Sequence, residues 1–168
     1  MQPTINTAAQ VRVSASALEQ AFDAVSEVLG GKRYRYHDEI SLHRALAAAL
    51  RADAMTFRRE VPLLGGRIDF VVDLPTPTDI TGTVNDSDSD SDSDSEMLRL
   101  GIEVKIKGSS RALHRQIQGY AEDPRLHGLI VATTRPVHRT EFTARSVPAI
   151  DGTRVLPVRV VELAGVGL

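Results

Sequence analysis

The sequence predicts an α/β fold, a mixed central β-sheet flanked by helices, and three observations carry that expectation. Two helix-period stripes come first, three strand-like runs follow, and a capped helix then precedes two further buried runs. In order, the chain reads helix, helix, three strands, helix, strand, strand.

The first helix is expected from about 16 to 29. Ser16 and Glu19 have capping-box spacing, and Leu18, Ala21, Phe22, Val25 and Leu29 form one apolar stripe ending at Gly30-Gly31. Residues 1–13 carry little pattern and read as a loose arm or an edge strand. Lys32 to His37 is basic and aromatic and reads as a connector. Asp38 caps the second helix, whose buried stripe is Leu42, Leu46 and Leu50. Strands are expected over Thr56–Val61, Arg67–Leu74 and Leu98–Ile106. Between the last two, residues 75–97 are rich in Pro, Thr, Asp and Ser, a composition with no means of burying a core. They read as a disordered acidic insertion at a hairpin tip. Ser109 or Ser110 caps the third helix, which Asp123-Pro124 halts; Leu129–Thr133 and Val155–Val161 are the closing strands.

At 168 residues the chain is expected to be one domain, with 42% hydrophobic and 25% charged residues, ordinary values for a globular protein. The absence of cysteine excludes disulfides, zinc–thiolate sites and iron–sulfur clusters. No apolar run is long enough to span a bilayer and no signal-peptide pattern opens the chain, so no membrane association and a cytoplasmic location are expected. The formal charge of -2 conceals an asymmetry. Residues 86–96 hold six of the 22 acidic residues, and without them 16 acids face 20 basic residues, a balance of +4. A mildly basic body suits nucleic acid, and it equally suits an ordinary solvated surface.

The informative chemistry lies at Asp69, Glu103 and Lys105. Each sits in a strand-like run, and charge among core β-branched residues is costly unless paired or bound to metal. Side chains at i and i+2 share a strand face, so Glu103 and Lys105 point together while Ile102, Val104 and Ile106 pack opposite. A hairpin brings Asp69 beside Glu103. Two adjacent carboxylates call for a hard cation, and Mg²⁺ (or Mn²⁺) accepts carboxylate oxygens, waters and substrate phosphate. The chemistry such a set supports is metal-assisted phosphodiester hydrolysis. Lys105 would orient or help deprotonate the attacking water, or neutralise charge developing on phosphorus, and the Val104 carbonyl would complete the metal shell. A structural Glu–Lys pair on an exposed strand is the plainer reading of Glu103 and Lys105 alone. Glu39 has two readings as well: an inward carboxylate over the sheet end, or a complement to the helix dipole. Gln116 and Tyr120 lie one helical turn apart and face together; Tyr120 also continues the Leu113 and Ile117 packing stripe.

Gly66-x-x-Asp69-Phe70, then Glu103-x-Lys105, then Gln116-x-x-x-Tyr120 resembles the PD-(D/E)XK nuclease superfamily over about residues 37–134. The last motif is similar to the QxxxY signature of its RecB-type and lambda-exonuclease-like branches. The resemblance implies a restriction-endonuclease-like αβββαβ core and a Mg²⁺-dependent deoxyribonuclease, an endonuclease or exonuclease of DNA repair, recombination or defence against foreign DNA. It implies Asp69, Glu103 and Glu39 as metal ligands, Lys105 as the catalytic lysine, and Gln116 and Tyr120 lining the cleft. Ile68 stands where the family commonly has proline. RecB-type members often bring a histidine from an early helix, and His37 and His43 flank Glu39; Glu39 is the favoured ligand.

Arg58, Arg59, Arg67, Arg111, Arg115, Arg135, His138 and Arg139 are candidate phosphate contacts, which position a duplex without reading its sequence. With no helix-turn-helix or zinc-finger signature, target choice is expected to fall to a partner protein or to a homodimer. A nuclease-fold binding module without catalysis and an RNA-directed nuclease are the alternatives.

Overall fold

A computed structural model describes residues 13–76, 97–136, 138 and 146–167. Helices α1 (Ala15–Gly30), α2 (Glu39–Ala52) and α3 (Ser110–Ala121) pack on a mixed six-stranded sheet of order β2-β3-β4-β5-β7-β6. Its strands are β2 (Thr56–Leu63), β3 (Gly66–Pro75), β4 (Met97–Lys105), β5 (Gly128–Thr133), β6 (Ser146–Pro148) and β7 (Val155–Glu162). β2, β3 and β4 form an antiparallel meander, β4, β5 and β7 run parallel, and β6 pairs antiparallel at the edge. A separate parallel pair joins β1 (Arg33–Tyr36) to β8 (Ala164–Gly167).

The two sheet faces make two cores. On one, α1 and α2 bury Phe22, Val25, Leu29, Leu42, Leu46 and Leu50 against Phe70, Val72, Leu100, Ile102 and Val104. On the other, α3 buries Leu113, Ile117 and Tyr120 against Ile68, Val71, Leu129 and Val131. The expected helical stripes supply these contacts, which is where most helical stability in a protein arises.

Helix ends follow the capping chemistry, with one correction. Asp38 caps α2, accepting from the Ser41 N–H at 2.7 Å, while the Ser41 hydroxyl accepts from the Asp38 N–H. Ser109, rather than Ser110, caps α3. The α1 cap is Ser14, whose Oγ accepts from the Ala17 N–H, two residues before the expected Ser16. At the end of α2 the Met55 N–H donates to Leu50 O and the Ala54 N–H to Arg51 O, with Ala54 left-handed at φ 54°. That is the Schellman arrangement with alanine where glycine is usual.

The expected connector at Lys32–His37 is instead the strand β1. Tyr34 faces inward and donates its hydroxyl proton to Leu29 O at 2.8 Å, while Arg33 and Arg35 face out. Its partner β8 lies some 130 residues on in a Gly-rich stretch, so nothing local announces the pairing. β3 and β4 pair as far as Pro75 and Met97, so both strands extend into the ends of the expected insertion. The body of that insertion, 77–96, and residues 1–12 of the expected arm lie outside the described residues; Val13 packs against the first core. At the β2–β3 turn, Gly65 meets the Gly119 backbone of α3 so closely that a Cβ at Gly65 would overlap it.

Candidate functional site

Strict alternation fails in β2 and β3 at the same level. Phe57 packs on the α1/α2 side, yet Val61, four residues on, packs under α3. Likewise Phe70 lies in the first core and Ile68 in the second. The residues at the reversal are Glu60 and Asp69, which face each other in the hairpin register but are absent from its paired positions. Glu60 holds φ 52°, a left-handed value costly for a residue with a Cβ. The distortion behaves like a bulge, re-aiming side chains beside a site.

On the other side of β3, the ladder to β4 ends at Phe70–Ile102, and one further step sets Asp69 opposite Glu103. There the Val104 N–H donates to Asp69 Oδ2 at 2.7 Å, a side chain replacing the next ladder bond. Burial raises the Asp69 pKa to about 6, with the charges of Glu39 and Glu60 adding to the rise and the Val104 N–H and Lys105 opposing it.

Glu103 is 2% exposed and carries three donors on its two oxygens. Lys105 Nζ lies 2.7 Å and Gln116 Nε2 2.8 Å from Oε1, and the Tyr120 hydroxyl lies 3.0 Å from Oε2. Gln116 also donates to the Tyr120 hydroxyl at 2.6 Å, and that hydroxyl sits 2.8 Å from Arg67 O. Tyr120 thus satisfies both expectations, buried in the α3 core and tied to the site by its tip. Burial and then the Glu103 charge push its pKa up, so it serves as a donor. Glu103 itself is raised by burial first and the Asp69 charge second, with Lys105 and Tyr120 pulling it back. Lys105, 22% exposed at its side chain, carries the cluster's charge to the surface.

His43 brings the second helix into the site. It is 8% exposed, edge-on to the Phe70 ring, and its Nε2 has no hydrogen-bond partner. That nitrogen lies 3.7 Å from Asp69 Oδ2. Burial lowers the His43 pKa against the charges of Glu39, Glu60 and Glu103 that favour protonation. His43, Glu60 and Asp69 each offer a ligand atom within 4.8 Å of the others. A buried imidazole nitrogen without a partner, facing two carboxylates, fits a divalent cation between them.

The expected residues therefore gather unevenly. Asp69, Glu103, Lys105, Gln116 and Tyr120 form one bonded cluster, with Val104 joined through its N–H. Glu39, half-buried at the start of α2, acts on Asp69 and His43 through its charge and stands outside the three-residue group. His37 is exposed, its N–H given to Ser41. Glu60 was not singled out from sequence, although counting outward from a two-residue turn at Leu64-Gly65 sets it opposite Asp69.

The basic residues divide as sharply. Arg58 pairs with Asp73 and Arg67 with Glu60; Arg59 lies over the Phe70 ring, and Arg135 donates to Gly108 O. His138 is buried against Ser110, and Arg139 lies outside the described residues. Arg111 and Arg115 are exposed on α3 and make no ion pair among the described residues. No helix of the described residues is long and apolar enough to cross a membrane. Comparison of the chain with protein-family models, curated proteins and solved structures finds no match.

Proposed function

We propose that this chain is a metal-dependent nuclease hydrolysing phosphodiester bonds of DNA. The observation that carries the reading is the junction of two half-sites at Asp69. One side gathers His43, Glu60 and Asp69 as ligand atoms; the other holds Glu103 and Lys105 on the neighbouring strand. The element order α2-β2-β3-β4-α3-β5 agrees with a restriction-endonuclease-like αβββαβ core, and the resemblance of the three motifs points the same way.

The residues fit a divalent cation by the orphaned His43 Nε2, a borderline nitrogen ligand, and by the Glu60 and Asp69 carboxylates, whose oxygens suit a hard ion. His43, Asp69 and Glu60 would hold Mg²⁺ or Mn²⁺, with Glu103 and Glu39 adding negative charge nearby, and the ion would polarise a phosphoryl oxygen and acidify water. Lys105, tied to Glu103, would hydrogen-bond the attacking water and offset charge developing on the phosphoryl oxygens. Gln116 and Tyr120 fix the Glu103 carboxylate and so set where Lys105 points. In the reaction the water oxygen bonds to phosphorus and the bond to the leaving deoxyribose oxygen breaks. Water loses one proton, and the leaving oxygen gains one. Arg111 and Arg115 are free to meet backbone phosphates, which bind without reading sequence, so target choice falls to a partner protein or a second copy.

The test is digestion of linear, circular and single-stranded DNA with Mg²⁺ or Mn²⁺ and with chelator. Cleavage is expected only with metal, and Asp69→Ala or Lys105→Ala should each lower it by about 10²- to 10⁴-fold while circular dichroism shows an unchanged fold. Degradation of linear DNA alone assigns an exonuclease; nicked or linearised circles assign an endonuclease. No cleavage of any substrate, or undiminished cleavage in both variants, overturns the reading.

A further inference from the structure

Glu60 is both strained and already paired. Its left-handed backbone turns the carboxylate toward Asp69 and His43, and sparsely populated conformations persist where the surroundings impose them, typically at functional sites. In the same position the carboxylate forms an ion pair with Arg67, whose Nε lies 2.9 Å from Oε2. Arg67 neighbours the site by two routes, since its main-chain carbonyl lies 2.8 Å from the Tyr120 hydroxyl. Its side chain is 69% exposed and has little packing to hold it. Other paired arginines neutralise acids away from these ligands: Arg58 and Arg99 share Asp73, and Arg125 pairs with Asp123. Arg67 alone among the described arginines forms an ion pair with a member of the His43–Glu60–Asp69 group.

We infer that Arg67 is an internal stand-in for a divalent cation at Glu60: metal entering between His43, Glu60 and Asp69 takes the carboxylate from Arg67 and turns the guanidinium outward to meet a substrate phosphate. The buried, unpartnered His43 Nε2 is the independent sign that a ligand belongs in this group. An exposed ion pair is weak, so a cation gathering three ligands at once displaces it readily. A guanidinium released beside the site binds phosphate in a fork geometry that no lysine reproduces. Because metal and polyanion both favour the released arginine, each tightens the binding of the other. The competition for Glu60 stands on the ligand group alone; the phosphate contact rests on the nuclease reading.

The experiment titrates Mn²⁺ into the full chain by calorimetry, without nucleic acid. Arg67→Gln is expected to bind Mn²⁺ about two- to fivefold tighter than wild type, the scale of an exposed ion pair removed. Glu60→Gln should bind it at least about tenfold more weakly, since an anionic ligand is gone. Glu60→Gly accepts the left-handed backbone without strain, serves as a second variant should glutamine disturb the strand, and should weaken Mn²⁺ equally. A 20-base-pair duplex is then titrated with and without Ca²⁺. Ca²⁺ should tighten binding to wild type and do so about threefold or more less effectively in Arg67→Gln. Equal or weaker Mn²⁺ affinity in Arg67→Gln, or wild-type affinity in both Glu60 variants, overturns the competition. Those results leave DNA cleavage intact, and absent cleavage leaves the Mn²⁺ titration intact, so the two readings fail separately.

Discussion

Asp69 is held by groups that want it charged and by a burial that does not. Its carboxylate accepts the Val104 N–H, yet burial lifts its pKa from 3.8 to about 6. Because the folded value exceeds the unfolded one, the carboxyl's stabilising contribution is complete below about pH 4 and is lost as pH rises through about 6. Two pKa units correspond to roughly 3 kcal/mol. Asp69→Asn keeps an acceptor for Val104 but cannot ionise. In chelator, urea unfolding should show it gaining up to about 3 kcal/mol on wild type between about pH 4 and 7. Glu103, raised in part by the Asp69 charge, gives up its proton more easily in the variant, which adds to the gain. Parallel pH profiles would refute the assignment. At this scale the bonded cluster was legible, because period two fixes Glu103 with Lys105 and one helical turn fixes Gln116 with Tyr120. Glu60 was not, because it acts where alternation breaks, and Glu39 and His43 lie one helical turn apart on one face, so periodicity alone does not choose between them.

Helix ends show how local chemistry and tertiary context divide the work. α2 stops in a Schellman motif with Ala54 at φ 54°, exposed and outside both cores. Ala54→Gly should therefore raise stability by about 0.5–1 kcal/mol in chemical denaturation, since glycine meets the left-handed backbone without a Cβ clash. An unchanged or lower midpoint would show that the turn imposes no strain. The cap at Asp38 was readable because a side-chain oxygen and its N–H lie three residues apart, while for α3 the sequence left Ser109 and Ser110 both open. The Ser14 cap was masked by a second serine with equally good spacing at 16. Strands β1, β6 and β8 escaped for a different reason: each is four residues or fewer, and β1 and β8 pair with each other across some 130 residues.

Across the whole molecule, charge is arranged rather than abundant. From Lys105 to Ala121 there is no acidic residue, and Lys107, Arg111 and Arg115 are exposed and make no ion pair among the described residues. Deleting one cationic side chain that meets a phosphate flattens the salt dependence of duplex binding by about 0.9 in log–log slope. The Arg111→Ala/Arg115→Ala double variant should thus reduce the slope by roughly 1.8 in a fluorescence anisotropy titration. Arg58→Ala, whose arginine is already neutralised by Asp73, should leave it unchanged. Equal slopes for the double variant and wild type would rule α3 out as the phosphate-bearing surface. The net charge of -2 hid this asymmetry behind the acidic 86–96 segment. The paired strand ends nearest that segment lie well away from Asp69 and Glu103. Pro75 and Met97 are paired neighbours, and six residues of extended strand, about 20 Å, separate each from Asp69 or Glu103. A fluorophore, an affinity handle or a whole folded cargo grafted between those two anchors would be tethered at the end of the strands opposite the Asp69–Glu103 cluster.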